Sequence, residues 1–374
     1  MTGLPPMVLP LWERSTLANL MSTVAERLGG TASMTDVPGV CAVPEADRYV
    51  VLLVDGLGGR LLEAHTDLAP HLARHRVSTL TSGVPSTTAT SVTSLGTGLP
   101  PGQHGIVGYT FRHHGSILNA LTWRPGLRAV DLQARPTVFE RLAEQGVRSQ
   151  VVNPAHFQGS GLTGCALRGG RLNGVVDESD SAEFAERVSI ASRSSSRSLT
   201  YAYLRMLDHT GHGSGVDSDA WRSTLRRIDG FVAEVAAQLP NGTALIVTGD
   251  HGMIDAGELT VLEEQADLAA GVDLVGGELR LRQLYSHEPG AVAQRWRDHW
   301  GDRAWIRTRE EAIAENWFGP VDRSLADRIG DVLVAMRSDE VVGTVTMPGE
   351  WELVGVHGSL TPDEMEVPLV VIQR

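Results

Sequence analysis

Three aspartates and three histidines carry the strongest chemical signal in this 374-residue chain. Asp55 follows the apolar run 49–54 and opens the stretch Asp55-Gly56-Leu57-Gly58-Gly59. Asp208 follows the run 199–207 and begins Asp208-His209-Thr210-Gly211-His212. Asp250-His251 sits between Gly249 and Gly252, after the run 243–247. His357 lies in Gly355-Val356-His357-Gly358, ahead of the last apolar run, 367–372. Carboxylate and imidazole without thiolate form a hard-to-borderline donor set suited to Zn2+, Mn2+ or a similar divalent ion. Three Asp and three His can share two such ions. The glycines around them are expected to let the backbone turn sharply at the site.

A fourth segment supplies hydroxyls: Val84-Pro85-Ser86-Thr87-Thr88-Ala89-Thr90-Ser91, followed by a helix-like run at 91–97. A hydroxyl at a helix N-terminus feels the positive end of the helix dipole. Beside a divalent metal, a threonine hydroxyl can ionise and act as a nucleophile. Each feature alone also has a plainer role. A strand-end Asp caps helices, and a Ser/Thr cluster makes turns. Their common order along the chain is what argues for a site.

The elements that must position these groups read as strands alternating with helices. Runs 49–54, 147–152, 199–207, 243–247 and 367–372 are short, apolar and glycine-bounded, as buried parallel strands are. Stretches 138–145 and 219–238 are helical, the latter with Phe231, Val232, Val235 and Ala236 on one stripe. This pattern predicts an α/β fold, with a sheet covered on both faces. Three strands then end in an acid, and sites in open α/β sheets form beyond the carboxyl ends of strands. A further β-α-β element is predicted over 279–285, 292–300 and 303–306. We expect one domain over 1–374, with inserts at 110–195 and 256–350. The tract 192–198 is rich in Ser and Arg and reads as a loop.

Composition narrows the function classes. The net charge of −13 argues against long nucleic acids as partners, yet leaves small anions open. Two cysteines, Cys41 and Cys165, cannot build a disulfide scaffold or a thiolate zinc cluster. No secretory pattern opens the chain and no apolar stretch reaches 18 residues, so no membrane partner and a cytoplasmic location are the expectations. Nothing in the sequence sets an oligomeric state.

These residues resemble the alkaline phosphatase superfamily, and within it the nucleotide pyrophosphatase/phosphodiesterase branch. The order Asp, Thr, Asp-x-x-x-His, Asp-His, His is similar to that family's ligand order. Pro85-x-x-Thr88, Thr97-Gly98-Leu99-Pro100 and His104-Gly105-Ile106 resemble the branch more narrowly. The resemblance extends from Tyr49 to Gln373 and implies an alkaline-phosphatase-like, mostly parallel sheet flanked by helices. It implies two divalent metals, Zn2+ or Mn2+: one held by Asp55, Thr88, Asp250 and His251, the other by Asp208, His212 and His357. Thr88 would be the nucleophile of a phosphodiesterase, forming a phosphoryl-threonine that water activated on the second metal resolves. The implied substrate is a small phosphate ester or nucleotide. Two divalent ions against three carboxylates would make the site locally positive despite the global charge.

Two departures from the branch stand out. Ala89, Thr90 and Ser91 stand where Phe-Pro-Asn is usual. Tyr109 stands where an Asn donates to a phosphoryl oxygen, and becomes the candidate substrate contact. His104 reads as a turn residue and His209 as a non-ligand. The loop 153–163, with His156, is a candidate pocket wall or a plain surface loop. Phosphomonoesterases and phosphonate hydrolases on the same metal site are the alternatives, and a monoesterase would need an added Arg, for which Arg112 is the candidate. A dinucleotide-binding dehydrogenase is disfavoured because Leu61 stands at the third glycine of G-x-G-x-x-G. A serine hydrolase lacks its G-x-S-x-G, and a non-catalytic binding protein would not need all seven ligand-type residues.

Overall fold

Residues 49–54 are buried without a break because the strand they form lies in the middle of a sheet covered on both faces. The computed structural model describes residues 3–30, 42–123 and 126–374; Cys41 lies outside them, and Cys165 is buried. The sheet has seven strands, in the order Arg76–Thr81, Glu366–Gln373, Thr243–Thr248, Arg48–Val54, Ser198–Leu204, Arg148–Pro154 and Arg171–Val175. Alternate residues of the central strands face opposite layers. Val50, Leu52 and Val54 pack with the helices Ser181–Ser192 and Asp219–Gln238. Tyr49, Val51 and Leu53 pack with the helices Leu17–Arg27, Thr88–Thr97 and Val138–Glu144.

The three strands preceding the acids are neighbours. Arg48–Val54 pairs in parallel with Thr243–Thr248 on one side and Ser198–Leu204 on the other. Leu53 is level with Thr248 and Val54 with Leu204, so all three chains leave the sheet at one edge. Two details differ from the sequence reading. The last strand, Glu366–Gln373, runs antiparallel to both of its neighbours. Asp208 does not end a strand: the strand stops at Leu204, and Asp208 falls in the first turn of the helix Met206–Ser214.

Within 110–195, the strands Arg148–Pro154 and Arg171–Val175 belong to the central sheet, while the hairpin of Thr110–His113 and Ser116–Asn119 stands apart from it. Within 256–350 a separate four-stranded sheet forms, in the order Leu274–Glu278, Leu281–Tyr285, Val332–Met336 and Ala304–Thr308. The predicted β-α-β element is its Leu281–Tyr285 strand, the helix Pro289–Trp300 and the strand Ala304–Thr308. A buried ion pair ties this sheet to the chain after His357. Arg280 Nη2 lies 2.9 Å from Glu364 Oε2, and Glu364 also accepts from Ser359 N at 2.9 Å and Thr361 Oγ1 at 2.7 Å. With its lone pairs satisfied, this pair anchors Glu278 beside the site. Among the described residues, no helix is long and apolar enough to cross a membrane.

Candidate active site

Asp55 leaves the central strand and is held almost completely buried, 3% exposed. Gly56 follows in the left-handed region at φ 74°, and a Cβ there would lie 3.0 Å from Asp208 Cα. That close approach requires glycine. Gly252 serves differently: its φ is not left-handed, but a Cβ would meet Asp363 O at 1.9 Å. Gly211, Gly249 and Gly355 likewise permit close packing rather than sharp turns, which corrects the sequence expectation.

Asp250 and His251 are fully buried. Asp250 Oδ1 accepts from the backbone N–H of Gly56 and of His251, each at 3.1 Å. Asp250 Oδ2 and Asp208 Oδ1 are buried with no hydrogen-bond donor. Unmet carboxylate oxygens at such depth are costly unless a cation completes them.

The histidines are oriented to provide that completion's remaining donors. Nδ1 of His251 faces Gly252 O at 2.9 Å, Nδ1 of His212 faces Gly355 O at 2.7 Å, and Nδ1 of His357 faces Ser86 O at 2.8 Å. A carbonyl only accepts, so each Nδ1 carries the proton and each Nε2 offers a lone pair, as in metal-ligating histidines. Nε2 of His251 lies 3.4 Å from Asp55 Oδ1 and 3.5 Å from Asp250 Oδ2. Nε2 of His212 and of His357 lie 3.2 and 3.8 Å from Asp208 Oδ1. Two donor groups result, Asp55 with Asp250 and His251, and Asp208 with His251 and His357, each with its atoms within 4.8 Å of one another. The rings of His251 and His357 stack at 3.6 Å. His212 reaches the second group through Asp208.

Burial and mutual repulsion set the electrostatics. Desolvation, then Asp208 and Asp250, pushes the Asp55 carboxyl well above its usual range. Desolvation pushes Asp208 up to about 6, against the pull of His212, and also raises Asp250. Desolvation drives His251 down to about 3 and His357 far below its ordinary value. His251 and His357 are therefore neutral, and they bring no positive charge to the acids.

Thr88 occupies the first position of the helix Thr88–Thr97, whose N-cap, Thr87, makes no side-chain capping bond. Its Oγ1 lies 3.2 Å from His251 Nε2 and 3.4 Å from Asp55 Oδ1. Two later hydroxyls of this buried helix are spent on its own backbone: Thr93 Oγ1 donates to Ala89 O and Thr97 Oγ1 to Thr93 O, both at 2.7 Å. Above the group opens a cavity of about 800 Å³, with Asp55, Thr88, Asp208, His212 and His357 on its wall.

Tyr109 lies on that wall, and burial raises its hydroxyl's pKa against a hydrogen bond from Asn119. The segment 153–163 also lines it, through Asn153, Phe157, Ser160, Leu162 and Thr163, whereas His156 does not; it is not the loop expected, since Asn153 belongs to the strand Arg148–Pro154 and a short helix begins at Gly161. His104 is structural, as expected: it accepts from Ile106 N through Nδ1 at 3.1 Å and meets Ser94 Oγ through Nε2 at 3.0 Å. His209 sits at the cavity rim rather than among the donors. Arg112 is not on the cavity wall; it bonds Asp327 O at 3.0 Å and Asp331 at 3.4 Å, so it cannot hold a monoester's extra charge.

Three residues escaped the sequence reading. Tyr203 donates its hydroxyl to Asp55 Oδ2. Glu278 lies 3.7 Å from His357 Nδ1 and accepts from Thr87, its carboxyl held far above the usual range by burial. Asn119 brings an amide to the cavity beside Tyr109. Tyr203 left a signal, sharing a strand face with Tyr201 just before the sheet edge; Glu278 and Asn119 left none.

Solved structures of low sequence identity share this fold. Phosphonoacetate hydrolase from Sinorhizobium meliloti 1021, solved with phosphonoformate and with phosphonoacetate, is 19% identical with a TM-score of 0.68, over 92% of this chain and 94% of that one. Murine ectonucleotide pyrophosphatase/phosphodiesterase 5 is 18% identical with a TM-score of 0.65, over 87% and 88%. An inactive threonine-to-alanine form of the murine protein in complex with AMP is also similar, at 17% identity and a TM-score of 0.63, over 86% and 87%. Among curated proteins no sequence match is found. The type I phosphodiesterase/nucleotide pyrophosphatase family model matches residues 49–360, and the chain belongs to that family. It is thus a hydrolase of phosphoester bonds, from a metal-dependent family, with candidate metal-binding groups of its own.

Proposed function

We propose that the protein is a phosphodiesterase that uses Thr88 as nucleophile and two divalent metal ions, on a small phosphate ester or nucleotide-like substrate. The observation carrying this reading is the placement of Thr88 Oγ1, 3.2 Å from His251 Nε2 at a helix N-terminus in the cavity wall. Asp55, Asp250, His251 and Thr88 would hold one ion, and Asp208, His212 and His357 the other; Zn2+ or Mn2+ suits these donors. When bound, the ions supply charge neutralisation at the phosphoryl oxygens and favour the ionised hydroxyl. An inactive threonine-to-alanine form of the murine neighbour is in keeping with a threonine nucleophile.

The chain's own groups then define the chemistry. Thr88 Oγ1 gives its proton to solvent water in the cavity and attacks phosphorus in line with the leaving alcohol. The O–P bond to Thr88 forms as the bond to the leaving oxygen breaks, and that alkoxide takes up a proton. Water attacks the same phosphorus from the vacated side, releasing Thr88 and a phosphomonoester. Tyr203 holds Asp55 in orientation, while Tyr109 and Asn119 are placed to meet the substrate.

Hydrolysis of a diester, a monoester and a phosphonate ester sharing one leaving group tests the reading. After Zn2+ or Mn2+ is restored, kcat/KM for the diester should exceed that for the monoester by about tenfold or more, a transition-state difference of ~1.4 kcal/mol. A monoester rate above the diester rate would overturn it.

A further inference from the structure

The charge on the cavity wall narrows the substrate class, an inference that rests on the phosphodiesterase reading. We propose that this site selects phosphodiesters whose single negative charge is on the reacting phosphorus, carrying an uncharged, mostly apolar substituent, and discriminates against substrates with a second anion there.

Part of the wall is apolar: Val92, Leu121, Phe157, Leu162 and Leu167. Another part, from the second sheet and the segment after 346, carries Glu278 and Glu350. Cations to hold a second phosphate or a carboxylate are scarce among the described wall residues. Apart from the ligating histidines, the wall offers Arg205 and the rim His209. Arg205 Nε is already paired with Glu178 Oε2 at 2.7 Å. Arg282, behind the wall, is fully buried, with Nε donating to Val342 O at 2.6 Å and Nη2 2.5 Å from Glu350 Oε2. A second anion entering here would find each of these arginines already neutralised by a carboxylate. A carboxyl wall does not compensate: ionised it repels, and protonated it offers one O–H. An aryl or alkyl body meets the opposite situation, since apolar wall is what it would cover.

Two substrates separate this from its absence: phenyl 4-nitrophenyl phosphate and 4-carboxyphenyl 4-nitrophenyl phosphate. They share a leaving group and nearly a shape, and differ by one charge. With metal-loaded protein, kcat/KM should favour the phenyl ester by about tenfold or more. Leu121 is 49% exposed, so Leu121→Lys adds a cation at the wall with little cost to folding. That variant should narrow the ratio by about threefold or more, and E278Q should move it in the same direction. Equal wild-type rates on the two esters, or a ratio that L121K leaves unchanged, would overturn the charge selection while the phosphodiesterase reading stood. No turnover of either ester would overturn both.

Discussion

Thr88→Ala should lower diester turnover by about 10³-fold or more while the folded protein and its metal content are retained. The loss is chemical because the structural cost is small. Thr88 is the first helical residue, and alanine is a strong helix former. The other donors of its group, Asp55, Asp250 and His251, are untouched by the change. Thr87 cannot substitute, since its hydroxyl is engaged with Glu278. Thr88→Ser keeps an Oγ at the same position and should recover measurable turnover. Steady-state kinetics alongside metal analysis checks all of this. An alanine variant with full activity would contradict the nucleophile assignment.

Metal removal should be the second large effect. Chelation is expected to abolish turnover and lower the melting temperature, and Asp250→Asn should cost at least about 100-fold in activity at limiting metal. The cause lies in the buried Asp55 and Asp250 and the partly buried Asp208, which face one another without a cationic side chain between them. Asp250 Oδ2 and Asp208 Oδ1 have no donor at all. Rebinding should depend on pH with a definite sign. The Asp208 carboxyl is pushed up to about 6, so below that pH it holds a proton that the metal must displace. His251, driven down to about 3, is already neutral and releases none. Affinity should therefore rise between about pH 5 and 7, with proton release at pH 6 read by calorimetry in buffers of different ionisation enthalpy. Affinity that fell over this window would show the acids are not the ligands.

Much of the site is legible in sequence because its positions are local consequences of short apolar strands. Asp55 and Asp250 follow mostly apolar, buried runs, and a strand-end acid is a one-dimensional signal. Asp208 was harder. The apolar run continues to Leu207, but the chain turns helical at Met206. That helix explains the spacing better than a strand does, because positions i and i+4 share a helix face, and so Asp208 meets His212. The reversed direction of Glu366–Gln373 depends on how the chain returns from residues 85–365, which no local pattern encodes. The same holds for Glu278. A glutamate ending an apolar strand of an insert has no signature until Arg280 and Glu364 dock that sheet against the chain after His357. Tyr109 is marked in the sequence only by the family resemblance, yet it does line the cavity.

The central claim is that Thr88 carries the phosphoryl group between two displacements. It is tested most directly by the stereochemical course at phosphorus, using a chiral phosphorothioate diester hydrolysed in oxygen-18 water and analysed by phosphorus NMR. Two in-line displacements require net retention of configuration. Net inversion would mean that water attacks the diester directly, and that Thr88 never becomes covalently bound.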